Sequence, residues 1–347
     1  MDMYEVISEL VTAPGVTGNE DCAADVAEKY FRRFSDNVWR DCSGNVFARM
    51  GDKKPAIMLI AHIDEIGMAV TDIEENGMLH IRSVAGVDPR VLPGSNVVVH
   101  GRERIDGIVG AIPPHLILGG RDKAYKIGDM LCDTGLSGES VRKLVSVGDM
   151  ITFALEAPLK LKNDSISGKS LDDRALVAVM IECMEMLSRR RLDCSVVMCA
   201  STQEEFSGPG AEVAAYSVAP DMALILDVTH AEMPKCDEFD AYKLDKPVIC
   251  AGGNMHPKMT KLICDAASEA GIEYETEVAM GFSGTDADYV QMTRGGIPTG
   301  VISPPVKYMH TPVETISIDT LKKCARIVVE FIASVHEDWE EKLCLDD

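Results

Sequence analysis

The sequence predicts an α/β fold interrupted by a β-rich insertion. Three observations carry that prediction. Short continuous apolar runs recur in the pattern of buried parallel strands, and amphipathic helical stripes lie between them. From about Val70 to about 160 both give way to short alternating runs punctuated by Gly and Pro.

In chain order, Ala23, Val26, Ala27, Tyr30, Phe31 and Phe34 form a helical stripe near the N-terminus. The run Ala56–Ala61 reads as a buried strand. Segments such as Ser95–His100 and Gly107–Ile112 then give the insertion its β character, with no long helix expected there. After Ser165 the α/β alternation resumes. Leu171, Ala175, Leu176, Val179, Cys183, Met186 and Leu187 describe an amphipathic helix for which Ser170 is the expected N-cap. Apolar strands follow at Ser195–Ala200, Met222–Leu226, Pro247–Cys250 and Pro298–Ile302, with helices at about 256–270 and 319–337. The α/β domain therefore comprises residues 1–68 and 161–347, split by an insertion at 69–160.

The 347 residues suit two domains, and 46% hydrophobic with 26% charged residues is ordinary globular composition. Lys and Arg total 34 against 56 Asp and Glu, a net charge of −22 that repels phosphate backbones and anionic membranes. Neither a nucleic-acid partner nor a membrane is expected. The start MDMYEVISELVTAPG has no basic and apolar leader regions, and no run reaches the roughly 20 apolar residues of a membrane span. Eleven scattered cysteines without a CxxC pair suit free thiols in a reducing cytosol, so a cytoplasmic location is expected.

Chemistry-bearing residues gather just beyond the apolar strands: His62 and Asp64 in AHIDEIG, Glu204 and Glu205 in STQEEFSGPG, and Asp227 in ILDVTH. Ligand sites of open α/β sheets collect at these carboxyl ends. Asp172 and Asp173 open the KSLDDR helix, and His310 lies in the loop KYMHTPVE before the last helix. Singly, each has an ordinary structural role; paired acids at a helix start usually complement its dipole. Their convergence at one topological level is what marks a site. Two His with several carboxylates form a mixed N/O set suited to Zn, Co or Mn, and the lack of sulfur argues against a structural zinc. Two metals about 3.5–4 Å apart serve water-driven hydrolysis, with one of two consecutive glutamates free to take a proton.

The ordered motifs HIDEIG, SLDDR, TQEEFSGPGA, DVTHAEMP, SGTDAD and PPVKYMHTPVETI, with GVDPRVLPG and GIVGAIPPH in the insertion, resemble the tetrahedral (TET-type) metalloaminopeptidase family. The resemblance spans almost the whole chain. It implies a zinc-peptidase mixed sheet (phosphorylase/hydrolase-like) flanked by helices, with residues 69–160 as an inserted β-rich, PDZ-like dimerisation domain. It implies two divalent metals per chain: His62 and Asp227 on one, Glu205 and His310 on the other, and Asp172 bridging them. Glu204 then matches the general base, and Asp64 the carboxylate that orients His62. The expected activity is removal of N-terminal residues from short peptides with a free N-terminus, in dimers that assemble into a hollow dodecamer. Ser283 and Lys307 depart from the family's usual Gly and Arg and bear on side-chain preference, since Lys lacks the planar fork of Arg. His115 lies outside the ligand set and is expected to be structural.

Two other readings compete. One is a metal-dependent deacylase or other amide hydrolase on the same site. The other, from a different class, is a catalytically silent oligomeric scaffold, which the complete ligand set disfavours. A glycosidase needs only two opposed carboxylates, so the His62/His310 pattern speaks against it.

Overall fold

The computed structural model describes residues 1–113, 126–236 and 241–345. His115 therefore lies outside the described residues. The molecule is organised around an eight-stranded mixed sheet. Its order is Val38–Arg40, Val46–Met50, Ser195–Ser201, Ala56–His62, Met222–Leu226, Thr299–Ser303, Val248–Gly252 and Glu275–Ala279. The four strands from Ser195–Ser201 to Thr299–Ser303 are mutually parallel, so their carboxyl ends share one edge.

Alternation within these strands explains why they read as unbroken apolar runs. Ile57, Leu59 and Ala61 enter one hydrophobic core, whereas Met58 and Ile60 enter another on the opposite face. Val196, Met198 and Ala200 divide from Val197 and Cys199 in the same way. With both faces covered, the middle of each strand is apolar and polar residues fall at its ends. Helices Met3–Thr12, Asp21–Phe31, Leu171–Leu187, Pro257–Glu269 and Ile318–Ser334 cover the first face, and Pro209–Val218 with Ala287–Val290 covers the second. Among the described residues no helix is long and apolar enough to cross a membrane.

The stretch after His62 leaves the sheet to form a closed antiparallel barrel: Gly67–Ile73, Leu79–Val84, Leu131–Asp133, Arg104–Gly110, Asn96–His100 and Met150–Phe153. It has its own core, including Met68, Leu79, Ile81, Val97, Val99 and Ile151. Closure removes the free edges that such short strands would otherwise present. The one α-helix of this segment among the described residues is the short Gly138–Leu144, which Ser137 caps through Ser140 N.

Two features bring the loop before the last helix to the sheet edge. Glu314–Ser317 pairs antiparallel with Ser165–Gly168, setting Glu314 opposite Gly168 and close to the start of helix Leu171–Leu187. Arg174 on that helix is wholly buried and donates to the carbonyls of Ile63 (2.8 Å), Leu10 (2.9 Å), Ala13 (2.5 Å) and Gly15 (3.3 Å). One guanidinium thus ties the end of the first helix to the chain just past His62, satisfying carbonyls that burial would leave unpaired.

One expectation needs correction, and one strand had no forewarning in the sequence. Ser170 does not cap helix Leu171–Leu187: it is left-handed (φ 59°), and its hydroxyl donates to the buried Glu65 carboxylate. The helix instead begins with Asp172 and Asp173 in non-helical conformations, which turns their carboxylates toward the sheet edge. The edge strand Glu275–Ala279 is formed by ETEVA, half-exposed and without an apolar run, so nothing in its pattern announced it.

Candidate active site

The sheet edge gathers carboxylates and imidazoles into one cavity of about 550 Å³, lined among others by Asp172, Glu204, Glu205, Asp227 and His310. His62, the last residue of its strand, lies behind this wall and is buried. Its Nε2 stands 3.1 Å from Asp172 Oδ1 and 3.9 Å from Glu204 Oε2. The other Asp172 oxygen, Oδ2, is 3.5 Å from His310 Nε2, which also lies 3.4 Å from Glu205 Oε2. Asp172 therefore faces an imidazole with each oxygen.

Ligand-type atoms of His62, Asp172 and Glu205 all lie within 4.8 Å of one another, and so do those of His62, Asp173 and Asp227. Asp173 Oδ2 accepts from the His62 backbone N–H at 3.1 Å, while its Oδ1 is buried without a partner. His62 Nδ1 approaches Asp64 Oδ1 to 3.3 Å, an ion-pair distance that does not close a hydrogen bond.

Asp64 is fully buried and anchors more than one neighbour. Its Oδ2 accepts from Thr17 Oγ1 (2.8 Å) and Glu205 N (3.2 Å), and its Oδ1 accepts from Glu204 N (3.1 Å). The consecutive glutamates are thus held by their own backbone N–H groups to the carboxylate beside His62. Glu314, also buried, accepts from Asp172 N through Oε2 and from His310 N through Oε1, both at 3.0 Å. Sequence reasoning missed Glu314 and Thr17, because only tertiary folding brings them to the site. Asp286 was missed as well; it accepts from Ser201 Oγ at 2.6 Å beneath the same edge.

So many buried acids raise one another's proton affinity. Burial, reinforced by Asp286, Asp172 and Asp64, pushes Glu204 up to about 8. Burial and then Asp172 raise Glu205, and burial and then Glu204 raise Asp227. Asp172 moves the other way: burial alone would raise it, but the imidazoles of His310 and His62 at its two oxygens outweigh that and lower it. Burial lowers the His62 pKa, but Asp172 and Asp64 override it and leave it well above the ordinary value. Acids forced this close without enough positive charge are the electrostatic signature of a cation site. The mixed N/O donors and their mutual approach fit divalent metal ions.

The rest of the cavity wall is partly apolar. Phe206, Phe282, Tyr289 and Met309 line it with Ser283, Glu277 and Asp288. Ser283 Oγ donates to Asp288 Oδ1 at 2.8 Å, so its hydroxyl is engaged in the turn. Lys307 is not among the lining residues; it pairs with Thr315 at the base of the His310 loop. His230, to which sequence reasoning gave no role, does line the cavity.

Several known proteins are similar to this chain in sequence and in fold. A family model described as M42 glutamyl aminopeptidase matches residues 44–327. The lysyl aminopeptidase of Pyrococcus furiosus is 31% identical, covering 94% of this chain and 96% of its own. An aminopeptidase structure from the archaeon Desulfurococcus kamchatkensis is similar with a TM-score of 0.92 at 30% identity, over 99% of both chains. The Pyrococcus horikoshii TET1 peptidase, described as assembling into a tetrahedron or a large octahedral shell, is similar with a TM-score of 0.85 at 28% identity, over 96% of this chain and all of that one.

Proposed function

The chain belongs to the M42 glutamyl aminopeptidase family, and from that premise we propose how its residues divide the work of a metal-dependent aminopeptidase. His62 and Asp227 would hold one divalent ion, Glu205 and His310 the other, and Asp172 would serve both. The observation that carries this reading is the Asp172 carboxylate, with one oxygen 3.1 Å from His62 and the other 3.5 Å from His310. Zn or Co suits the donors best, and Mn also fits.

Such ions supply Lewis-acid polarisation of the scissile carbonyl and lower the pKa of a nearby water. The protein side of the reaction falls to Glu204. Its carboxylate stands beyond the ligand set but within reach of it, 3.9 Å from His62 Nε2. It accepts the proton of the attacking water and passes it to the leaving amine. Asp64 keeps the glutamates in place through their N–H groups and turns the His62 ring. The peptide enters by its free N-terminus, with its first side chain along the wall of Phe206, Phe282, Tyr289 and Met309.

We further propose that residues 69–160 act as a PDZ-like dimerisation domain beside a catalytic domain of residues 1–68 and 161–347. Dimers assemble into a tetrahedral dodecamer, a reading supported by the assembly of the Pyrococcus horikoshii relative. A cytoplasmic location is supported by cysteines that are all free.

The test is to strip the protein with a chelator, restore Zn, Co or Mn in turn, and assay aminoacyl-anilides beside their N-acetylated counterparts. Metal-restored cleavage of the free amines alone is expected. Cleavage of only the acylated forms would make the protein a deacylase, and failure to bind metal would remove the mechanism.

A further inference from the structure

His310 rides on a loop closed at its base by Lys307 and Thr315, which exchange backbone hydrogen bonds of 2.9 and 3.0 Å. Thr311 Oγ1 donates to Tyr308 O at 2.6 Å, and His310 N donates to Glu314 at 3.0 Å. These contacts fix the main chain, with both Tyr308 (φ 59°) and His310 (φ 62°) left-handed. None of them touches the imidazole, whose side chain is 35% exposed.

The ring rests instead against Gly86, which follows the barrel strand Leu79–Val84. A Cβ at Gly86 would stand 2.5 Å from His310 Nδ1 and 2.8 Å from Cε1, far inside van der Waals contact. Gly86 meets the ring at Nδ1, on the side away from the Nε2 that faces Asp172 and Glu205. Gly86 is not among the left-handed residues, so its own backbone does not require glycine; the approach of the ring does. Ala85 before it is left-handed (φ 64°) and turns the chain across the imidazole.

We propose that Gly86 is a positioning residue for the His310 metal site: the inserted barrel supplies the surface that aims His310 Nε2 at Glu205 and Asp172. The barrel and the sheet domain then share one metal centre, and whatever shifts the barrel acts on one ion and not on both. This inference rests on the two-metal reading above.

The experiment compares metal-stripped wild type with G86A and with G128A, where an added Cβ meets nothing within 4 Å. Each protein is titrated with Zn(II) by calorimetry and with Co(II) by visible absorption, with circular dichroism and thermal melting to verify folding. Wild type and G128A should bind two ions alike. Folded G86A should keep one site unchanged and bind the second ion about 10–100-fold more weakly, the range for disturbed support of a metal ligand. Wild-type affinity at both sites of folded G86A, or equal weakening of both, overturns the proposal. Should G86A not fold, A85G is used: glycine suits the left-handed position and loosens the Gly86 main chain without adding an atom. A85G should weaken the same single site, and undiminished binding there overturns the proposal. Wild type that binds no metal refutes the metal centre itself, a different failure from two intact sites in G86A.

Discussion

His62 and His310 approach the same Asp172 carboxylate from opposite sides, yet the chain holds them by different means. His62 ends a central strand buried on both faces, and its side chain is 2% exposed, with Asp64 behind its ring and Asp173 on its backbone N–H. His310 sits on a left-handed loop, 35% exposed, and its ring leans on a glycine of another substructure. One half of the site belongs to the rigid sheet; the other is assembled where sheet, loop and barrel meet. The strand-held half should therefore be coupled to global stability, and the loop-held half to metal occupancy alone.

The largest effect should come from Glu204, which the strand-held half positions through Asp64. Glu204→Gln should cut turnover about 10²–10⁴-fold, as loss of a general base does, while metal content by elemental analysis stays at the wild-type level. Full activity in this variant would remove Glu204 from the mechanism.

Next in size is the contrast between the histidines themselves. His62→Ala leaves Asp64 buried without its imidazole neighbour and Asp172 with His310 alone, and should cost about 3 kcal/mol or more in denaturant unfolding of the metal-free protein. His310→Ala opens a half-exposed loop position and should cost under about 1 kcal/mol, though it too should lose one ion and nearly all activity. Equal destabilisation by the two variants would erase the distinction between the halves.

The same contrast explains what could be read in the sequence. Strands buried on both faces, such as Ala56–His62 and Met222–Leu226, are unbroken apolar runs, and residues just past them fall at the sheet edge by geometry. Hence His62, Asp64, Glu204, Glu205 and Asp227 stood out by their convergence at that edge. His310, in a loop, drew notice chiefly as an imidazole among carboxylates. What braces it was not legible: Glu314 acts through a strand pairing, and Gly86 through a contact spanning more than two hundred residues. Ser170 misled because a serine before a helix suggests a cap, whereas here the buried Glu65 claims its hydroxyl.

A finer probe of the strand-held half is Asp64→Asn. Its amide cannot accept from Thr17 Oγ1, Glu204 N and Glu205 N as a carboxylate does, nor draw on His62 Nδ1 equally. The His62 ion should bind about 10–100-fold more weakly, with the His310 ion little changed. Thr17→Val removes one of these bonds and should cost about 1 kcal/mol of stability. Titration calorimetry and thermal melts separate the two effects, and weakening centred on the His310 ion would reverse the assignment of Asp64.

The smallest expected effect is a pH dependence of the metal-free protein. Glu204 is pushed up to about 8 when folded and returns to roughly 4.5 when unfolded. Between those values the folded state binds the extra proton, so stability falls as pH rises from about 5 toward 8. Glu205 and Asp227 are displaced in the same direction and add to the slope. Saturating Zn should flatten the trend, because bound cations replace protons as the source of positive charge. Glu204→Gln should flatten it partly without metal, while His310→Ala should leave much of it in place, since burial is the leading cause for all three acids. Melting temperatures of the stripped proteins across this range decide the matter, and a melting temperature that climbs with pH would show that these acids are not held protonated by the fold.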